Sequence, residues 1–226
     1  MFLRSRPRRA CALLVTVAAA VLIGGCGSGD DWSQPHAKPT AVGTLGPGFV
    51  DPAKPPAPEA TITPRPGSWN DVHPSKGYRV VLLTTGDDAP TRTLVDAVGD
   101  WADDVNASLK TVTATKPVDF VPSIRRAIDM KPDLIISAGN GLVDPLALVT
   151  ASHLKQQFLV IGAEVAEPTA NVTAADWTGA AFRGEGLGMP EAYDPRSFTH
   201  ERATRAIRAG VAAVLNGFTG IVIKLD

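Results

Sequence analysis

Polar residues follow three apolar, β-branched runs of this sequence, at the point where each run ends. They are Asp87, Asp88, Asn140 and Glu164, and Gly139 and Gly141 flank Asn140. In an open α/β sheet, ligands lie beyond the carboxyl ends of the strands, so these positions are the candidate ligand-binding residues. Carboxylates and amides bind hydroxyl groups and cations, and carboxylates repel phosphates. The pattern therefore predicts a site for a hydroxyl-rich or cationic small molecule rather than a phosphorylated one.

The turn from Gly139 to Gly141, with Asp144 three residues later, nearly matches the dinucleotide-binding fingerprint G-x-G-x-x-G. Asp144 replaces the third glycine, however, and "VDPLA" is typical of a helix start with Asp144 as the N-cap and Pro145 at the first position. A capping carboxylate would occupy the backbone N–H groups that a phosphate needs, and would also repel it. We expect Asp144 to cap a helix, and direct ligand contact by Asp144 is the alternative.

Two other candidate positions also have a structural interpretation beside the functional one. Either Asp87 or Asp88 could cap the helix that starts near Pro90, and we expect one to cap it and the other to face the site. Asn140 is as typical of a turn that tolerates left-handed backbone as it is of ligand binding.

Nucleophilic, metal and cofactor chemistry have little support in the sequence. His73, His153 and His200 are scattered and lack acidic or cysteine partners at ligand spacing. No Gly-x-Ser-x-Gly motif is present to support a hydrolase. The glycine-rich run "RGEGLG" follows no strand directly, so we expect a loop there rather than a phosphate site. We therefore expect that the protein is not an enzyme and that it uses no metal or cofactor.

The candidate residues are carried by strands that alternate with helices. Strands are predicted at 78–86, 110–115, 133–139, 157–164, 171–177 and 219–226, and helices at 87–109, 118–130, 144–154 and 199–218. Such alternation requires crossover connections and a parallel sheet with helices on its faces. We therefore predict an α/β domain over residues 77–226, a three-layer αβα sandwich with a mainly parallel, doubly wound sheet. Residues 178–197 have no periodicity and are predicted to form a loop.

The N-terminus predicts export and lipidation. Arginines at positions 4, 6, 8 and 9 precede an apolar run from residue 10 to residue 23, which is too short for a comfortable membrane span. The run ends in "LIGGC", which resembles a bacterial lipobox. The resemblance implies a lipoprotein signal peptide at residues 1–25, with cleavage before Cys26 and a diacylglyceryl group on its thiol. An ordinary signal peptide or a single anchor helix is the alternative. The expected location is the extracytoplasmic face of a bacterial cell membrane.

Cysteine and charge content exclude further classes of function. Cys11 lies in the predicted signal peptide and Cys26 would be alkylated, so no thiol remains for a disulfide, a metal or catalysis. Loss of the signal peptide leaves 18 basic and 23 acidic residues, a formal charge of −5. A nucleic-acid-binding surface is therefore not expected.

A proline-rich segment separates the predicted anchor from the domain. Ten prolines and no sustained apolar period lie between residues 27 and 76. Such a segment buries too little apolar surface to offset the entropy lost on ordering. We therefore predict that residues 26–76 are the lipid-anchored cysteine and a disordered spacer, in which only Phe49 and Trp69 could dock locally.

The combination of these features resembles a known family. The lipobox, the spacer, "YRVVLLTTGDD" and the long run from "VDFVPSIRRAIDM" through "KPDLIISAGNGLVDPL" to "NVTAADWTGAAFRGEG" are similar to the basic membrane protein (BMP) family of solute-binding lipoproteins. The resemblance covers residues 118–186 best and residues 78–226 more loosely. It implies a type 1 periplasmic-binding-like fold, a small-molecule ligand that is often a nucleoside, and an ABC permease as partner.

The sequence departs from the family in two respects. The first loop of the family contains an aromatic residue that stacks on a base, whereas "GDDAPTRTLVDA" keeps only the acids. The family also builds a complete second lobe at the place where this chain has only residues 178–197. Because this second lobe has no counterpart in the sequence, we predict a single lobe. An alternative function is a non-transport envelope lipoprotein that uses this lobe as an interaction or sensing module.

Overall fold

The computed structural model describes residues 31–180, 182–188 and 191–225. The predicted signal peptide and Cys26 lie outside these residues. The strands are β1 Ala41–Val42, β2 Thr61–Ile62, β3 His73–Pro74, β4 Arg79–Thr85, β5 Ser108–Ala114, β6 Leu134–Ala138, β7 Phe158–Ile161, β8 Val172–Trp177 and β9 Val222–Leu225. The α-helices are α1 Ala89–Asp104, α2 Phe120–Asp129, α3 Val143–Thr150 and α4 His200–Leu215. None of the described helices is long and apolar enough to cross a membrane.

Seven strands form one sheet in the order β2-β9-β8-β7-β6-β4-β5, and every neighbouring pair is parallel. Helices α1 and α4 pack on one face of this sheet, and α2 and α3 pack on the other. Strands β1 and β3 form a separate antiparallel pair. The predicted three-layer αβα sandwich with a parallel, doubly wound sheet is confirmed.

The central strands form because their residues are apolar on both faces. In β4, Leu82 packs with the α1 and α4 layer, and its neighbour Val81 packs with the α2 and α3 layer. Full burial of each such side chain contributes on the order of 1.5 to 3 kcal/mol. Helix α4 approaches the sheet closely at Gly210, where an added Cβ would lie 2.4 Å from Leu159 Cδ1. The sheet is therefore a rigid platform that fixes where each strand ends.

The prediction of a disordered spacer is wrong for residues 31–76. Strand β2 of this segment extends the main sheet by pairing with β9. Phe49 and Trp69 are each only 2% exposed, and the Phe49 ring lies 6.3 Å from that of Phe218. The prediction of disorder rested on the average composition of the segment. A few large side chains that are completely buried are enough to order the segment. Prolines help because they reduce the entropy that the unfolded chain would otherwise lose.

One connection between parallel strands has the opposite hand to the others. The β4-to-β5 and β8-to-β9 connections both cross the face that carries α1 and α4, but they run in opposite directions along the strand order. The connections through α2 and α3 cross the other face and have the same hand as the β4-to-β5 connection. Because about 98% of such connections are right-handed, the β8-to-β9 connection is the left-handed one.

Candidate ligand-binding site

The topology of the sheet places a switch point between β4 and β6. The chain leaves β4 for α1 on one face of the sheet and leaves the adjacent strand β6 for α3 on the other face. The two loops therefore diverge at the carboxyl ends of these strands, which is where open α/β sheets bind ligands. We call the loops Gly86–Asp88 and Gly139–Gly141 the switch-point rim.

A glycine allows the two sides of the rim to meet. A Cβ added at Gly141 would lie 2.5 Å from Cγ2 of Thr85, the last residue of β4. Gly139 has a φ of 76°, and its amide donates a hydrogen bond to the Ile161 carbonyl at 2.9 Å. Glycine is favoured at such a backbone angle because it has no Cβ. The candidate ligand-binding residues after β4 and β6 are thus brought together.

The two aspartates after β4 have different surroundings. The Asp88 carboxylate accepts hydrogen bonds from the Thr91 amide at 3.0 Å and the Thr91 hydroxyl at 2.9 Å, so Asp88 is the N-cap of α1. Asp87 is exposed, and only its carbonyl oxygen is engaged, by Arg92. Among the described residues, the Asp87 carboxylate has no hydrogen-bond partner. The carboxylate that remains available at this strand end is therefore that of Asp87.

Asn140 is the exposed residue on the other side of the rim. Its carbonyl oxygen accepts a hydrogen bond from the Val143 amide at 3.2 Å, which closes the turn into α3. Its side-chain amide has no partner within the described part of the chain. It can therefore both donate to and accept from a bound molecule.

Asp144 does not cap α3, so that prediction is wrong. The helix begins at Val143, two residues before the expected first position Pro145, and its N-cap is Leu142, which makes no side-chain capping bond. The Asp144 carboxylate instead accepts hydrogen bonds from the Glu185 amide at 3.2 and 3.3 Å. It ties the start of α3 to a neighbouring loop. The Asp144 carboxylate therefore does not occupy the N–H groups at the start of α3, but it still lies in the first turn, so its charge repulsion against a phosphate remains.

Glu164 does not lie on the switch-point rim. It is buried, its amide donates to the Phe182 carbonyl at 2.8 Å, and its carboxylate lies 3.1 Å from Nε of Arg183. Its other neighbour is Asp176 of β8. Glu164 therefore belongs to a second group of polar residues, at the carboxyl ends of β7, β8 and β9.

This second group, here called the acid–base cluster, consists of Glu164, Asp176, Arg183, Glu191 and Lys224. Lys224 Nζ lies 3.8 Å from the Asp176 carboxylate and also contacts Glu191. Burial raises the pKa of the fully buried Asp176 to about 8, and the neighbouring carboxylate of Glu164 acts in the same direction. At neutral pH Asp176 thus keeps its proton. The hydrogen bond with Lys224 lowers the pKa of Glu191.

Sequence reasoning missed the acid–base cluster, although a signal for it was present. "NVTAADW" and "GIVIKL" each place one charged residue inside a run that is otherwise suited to a buried strand. A buried charge needs a partner, so the two runs could have been predicted to pair. Asp176 and Lys224 are in register on neighbouring strands.

The ends of β7 and β8 are covered by residues 178–180, 182–188 and 191–198, here called the cover segment. The Trp177 indole donates to the Ser197 hydroxyl at 3.0 Å, and its ring lies 5.1 Å from that of Phe198. Gly162 makes room for this packing, since a Cβ there would lie 2.8 Å from the Phe198 ring. The cover segment is thus packed against the sheet at this end.

Tyr193 of the cover segment lies beside the rim. Its ring centroid is 5.7 Å from that of Phe198, and the side chain is partly exposed. Burial and the nearby charge of Asp88 raise the pKa of the Tyr193 hydroxyl. Sequence reasoning missed this residue because nothing in the irregular stretch indicated which side chain returns to the rim. Tyr193 supplies an aromatic surface near the loop that lacks one of its own.

No protein-family model matches the chain. Among solved structures, it is similar to an ABC transporter system solute-binding protein from Aeropyrum pernix K1, with 18% identity and a TM-score of 0.41 over 45% of this chain and 29% of that one. It is also similar to a fragment of a predicted lipoprotein from Peptoclostridium difficile 630, with 20% identity and a TM-score of 0.45 over 62% of this chain and 98% of that one.

A third similar structure is an ABC transporter solute-binding protein from Bradyrhizobium sp. BTAi1, which was solved with bound bis-tris. It is 14% identical, with a TM-score of 0.32 over 85% of this chain and 60% of that one. The match to the Aeropyrum protein spans less than a third of that protein's length.

The rim is suited to binding rather than to bond making. It offers a carboxylate, a side-chain amide and a phenol, which together can hold hydroxyl or amine groups. Within the described residues, no group of three His, Cys, Asp or Glu side chains is placed to hold a metal ion. The residues of the acid–base cluster instead pair with one another and connect the ends of β7, β8 and β9 to the cover segment.

Proposed function

We propose that this chain is a membrane-anchored extracytoplasmic lipoprotein that binds a small, hydroxyl-rich, nucleoside-like solute for an ABC importer, in the manner of the BMP family. The observation that carries the proposal is the position of Asp87 and Asn140. Their side chains, which have no partners in the described chain, stand on opposite sides of the switch point. Tyr193 provides an aromatic face beside them.

The charge of the rim supports an uncharged or cationic ligand. Asp87 presents an exposed carboxylate, Asp88 already uses its carboxylate as a cap, and Asp144 lies at the start of α3. A phosphate would face these three carboxylates, and Arg92, a basic side chain at the first rim loop, already donates to the Asp87 carbonyl oxygen. Ribose hydroxyls can instead donate to Asp87 while a base accepts from or donates to Asn140.

The left-handed connection from β8 to β9 supports the reduction to a single lobe. A direct left-handed crossover between parallel strands is rare. The preference for right-handed crossovers does not apply to a chain that passes through another lobe between the two strands. We interpret α4 and β9 as return elements of a two-lobed architecture, with the cover segment in place of the second lobe. A single lobe leaves one side of a bound ligand exposed, so we expect weaker binding than in a closed cleft.

Binding can be tested on the mature protein by calorimetry and thermal shift with nucleosides, nucleotides and sugars. We expect nucleosides to bind, and Asp87→Asn and Asn140→Ala each to weaken binding by about tenfold, the value of one lost hydrogen bond to a charged or buried group. Asp103→Asn, an exposed acid at the opposite edge of the sheet, is the matched control. Stabilisation by nucleotides alone, or binding that neither rim variant changes, would overturn the proposal.

The cover segment favours a second candidate, an envelope lipoprotein that uses this lobe as an interaction module. The acid–base cluster and the Trp177–Phe198 contact close the ends of β7 and β8, so a large part of the usual ligand-binding edge is already occupied. On this hypothesis no small molecule binds, and the intact lipoprotein co-purifies from membranes with a stable envelope protein. Binding of a nucleoside that depends on Asn140 decides against it.

A further inference from the structure

The first described residues are fixed at the amino edge of the sheet, opposite to the switch-point rim. The Arg79 guanidinium, at the start of β4, donates to the carbonyl oxygens of Gln34 at 3.0 Å and Asp31 at 3.2 Å. The Trp32 indole donates to the hydroxyl of Ser108, the first residue of β5, at 2.9 Å. The chain therefore enters the domain at the starts of β4 and β5.

A third attachment secures the same segment to β6. His36 Nε2 lies 2.8 Å from the carboxylate of Asp133, which also accepts a hydrogen bond from the Arg79 amide at 2.8 Å. Lys110 lies over the Trp32 ring, 4.4 Å from its centroid. These contacts hold the entry point of the chain in place relative to the sheet.

The proposed lipid anchor lies only five residues before Asp31. Five residues of fully extended chain span at most about 18 Å, so a diacylglyceryl group on Cys26 would hold the amino edge that close to the bilayer. The seven residues of β4 span about 23 Å. The rim at the far end of the strands would therefore face away from the membrane.

The same edge carries an exposed groove at the ends of α2 and α3, with a volume of about 560 Å³. We call it the basal corner, which is lined in part by Ile128, Lys131, Pro132, Leu154 and Lys155. Leu154 is 59% exposed. Lys131 and Lys155 are also exposed, so apolar and cationic groups lie side by side.

Charge distinguishes this corner from the rest of the amino edge. Arg126 in the last turn of α2 adds to the two lysines of the basal corner, and Asp129 is the one exposed acid of that helix end. The end of α1, on the other face of the sheet, instead exposes Asp103 and Asp104. Lys76 lies beside Asp103 there and offsets part of this charge, so an anionic surface would attract the α2 and α3 side more strongly than the α1 side.

We propose that the basal corner rests on the bilayer, with Lys131 and Lys155 on anionic phospholipid headgroups and Leu154 at the level of the interface. A leucine flanked by lysines is suited to this position, because the apolar group enters the headgroup region while the ammonium groups remain at its surface. The inference rests on the proposed lipid anchor. It goes beyond that anchor by fixing which side of the domain faces the membrane.

The test uses the lipidated mature protein in vesicles of phosphatidylcholine with about 30% phosphatidylglycerol, an anionic lipid. Leu154→Cys is labelled with a fluorophore, and Leu187→Cys in the cover segment is the matched control, since Leu187 is also an exposed leucine. We expect lipids with a nitroxide near the headgroup to quench the Leu154 label at least about threefold more than the Leu187 label. Adding Lys131→Glu and Lys155→Glu should halve that quenching, whereas Lys116→Glu should leave it unchanged.

The outcomes separate this inference from the anchor. If the unlabelled protein does not float with vesicles, both the anchor and the basal corner are overturned. If it floats but the two labels are quenched equally, the anchor stands and the basal corner is overturned. Quenching at Leu154 that persists after both lysines are reversed, or in vesicles of phosphatidylcholine alone, overturns the headgroup contact.

Discussion

Lys224 Nζ lies 3.8 Å from the carboxylate of Asp176, its neighbour in register on the adjacent strand, and also contacts Glu191 of the cover segment. One ammonium group thus links the sheet to the segment that covers it. Asp176 is fully buried and has no other described cation within ion-pair distance. The stability of this end of the domain should therefore depend on Lys224.

We predict that Lys224→Met lowers the free energy of unfolding by about 2 kcal/mol, because it removes the cation that pairs with Glu191 in a half-buried position. Asp176 adds little to this loss at neutral pH, since it keeps its proton there. Urea unfolding measures the change. Lys116→Met, at an exposed position, should change the unfolding free energy by less than about 0.5 kcal/mol. Equal midpoints for the two variants would contradict the prediction.

Asp176 should also make stability depend on pH. Burial and the neighbouring Glu164 raise its pKa from 3.8 to about 8 in the folded state. Between these values the folded state holds a proton that the unfolded state has released. The free energy of unfolding therefore falls as pH rises through this window, by up to about 1.4 kcal/mol per pH unit, and levels off above it.

The measurement is urea unfolding of the wild type and of Asp176→Asn at intervals between pH 5 and pH 9. Asparagine keeps the shape and neutrality of the protonated acid but does not titrate, so the variant should lose this slope and be the more stable protein at high pH. The acids with lowered pKa values, Asp31, Glu191 and Asp194, titrate below this range. Parallel pH profiles for the two proteins would show that Asp176 is already ionised.

The rim depends on the close approach of Gly141 to Thr85. We predict that Gly141→Ala destabilises the fold by about 1 to 2 kcal/mol and weakens ligand binding, because its Cβ would lie 2.5 Å from Thr85 Cγ2. Thr85→Ser removes that methyl group. In the Thr85→Ser background, Gly141→Ala should therefore cost much less. A double-mutant cycle by thermal unfolding and calorimetry measures the coupling, and additive effects would argue against the contact.

The sheet, the helices and a cap of α1 by either Asp87 or Asp88 could be predicted because each depends on local pattern, and the structure selects Asp88. Continuous apolar runs give buried parallel strands, and an aspartate ahead of Pro90 gives a cap. The pairing of Asp176 with Lys224 depends on strand order, which the sequence indicates only through a charged residue in each of two apolar runs. The start of α3 was misplaced by two residues, and that shift decides whether Asp144 caps the helix or binds the Glu185 amide.

The order of residues 31–76 could not be predicted from composition for a different reason. The average composition of a segment does not show whether its few large side chains find complementary sites. Here Phe49 and Trp69 do so, and β2 finds an open sheet edge beside β9. The same applies to the entry of the chain, where Arg79 binds backbone carbonyl groups that carry no sequence signal.

The attachment of residues 31–36 gives the last prediction. The planar guanidinium of Arg79 donates to several carbonyl groups at once, which a lysine ammonium cannot reproduce in the same geometry. Arg79→Lys should therefore release the segment without unfolding the sheet. We expect amide exchange at Ser33 and Gln34 to accelerate by about tenfold, as for the loss of roughly one hydrogen bond to a charged group.

Hydrogen exchange measured by mass spectrometry on the mature protein tests this directly. Exchange in β6 should stay unchanged, because its residues are buried within the sheet. Arg125→Lys, at an exposed position on α2, is the matched control and should leave both regions as they are. If Arg79→Lys accelerates exchange in β6 and in residues 31–36 alike, Arg79 stabilises the whole sheet and does not specifically hold the entry of the chain.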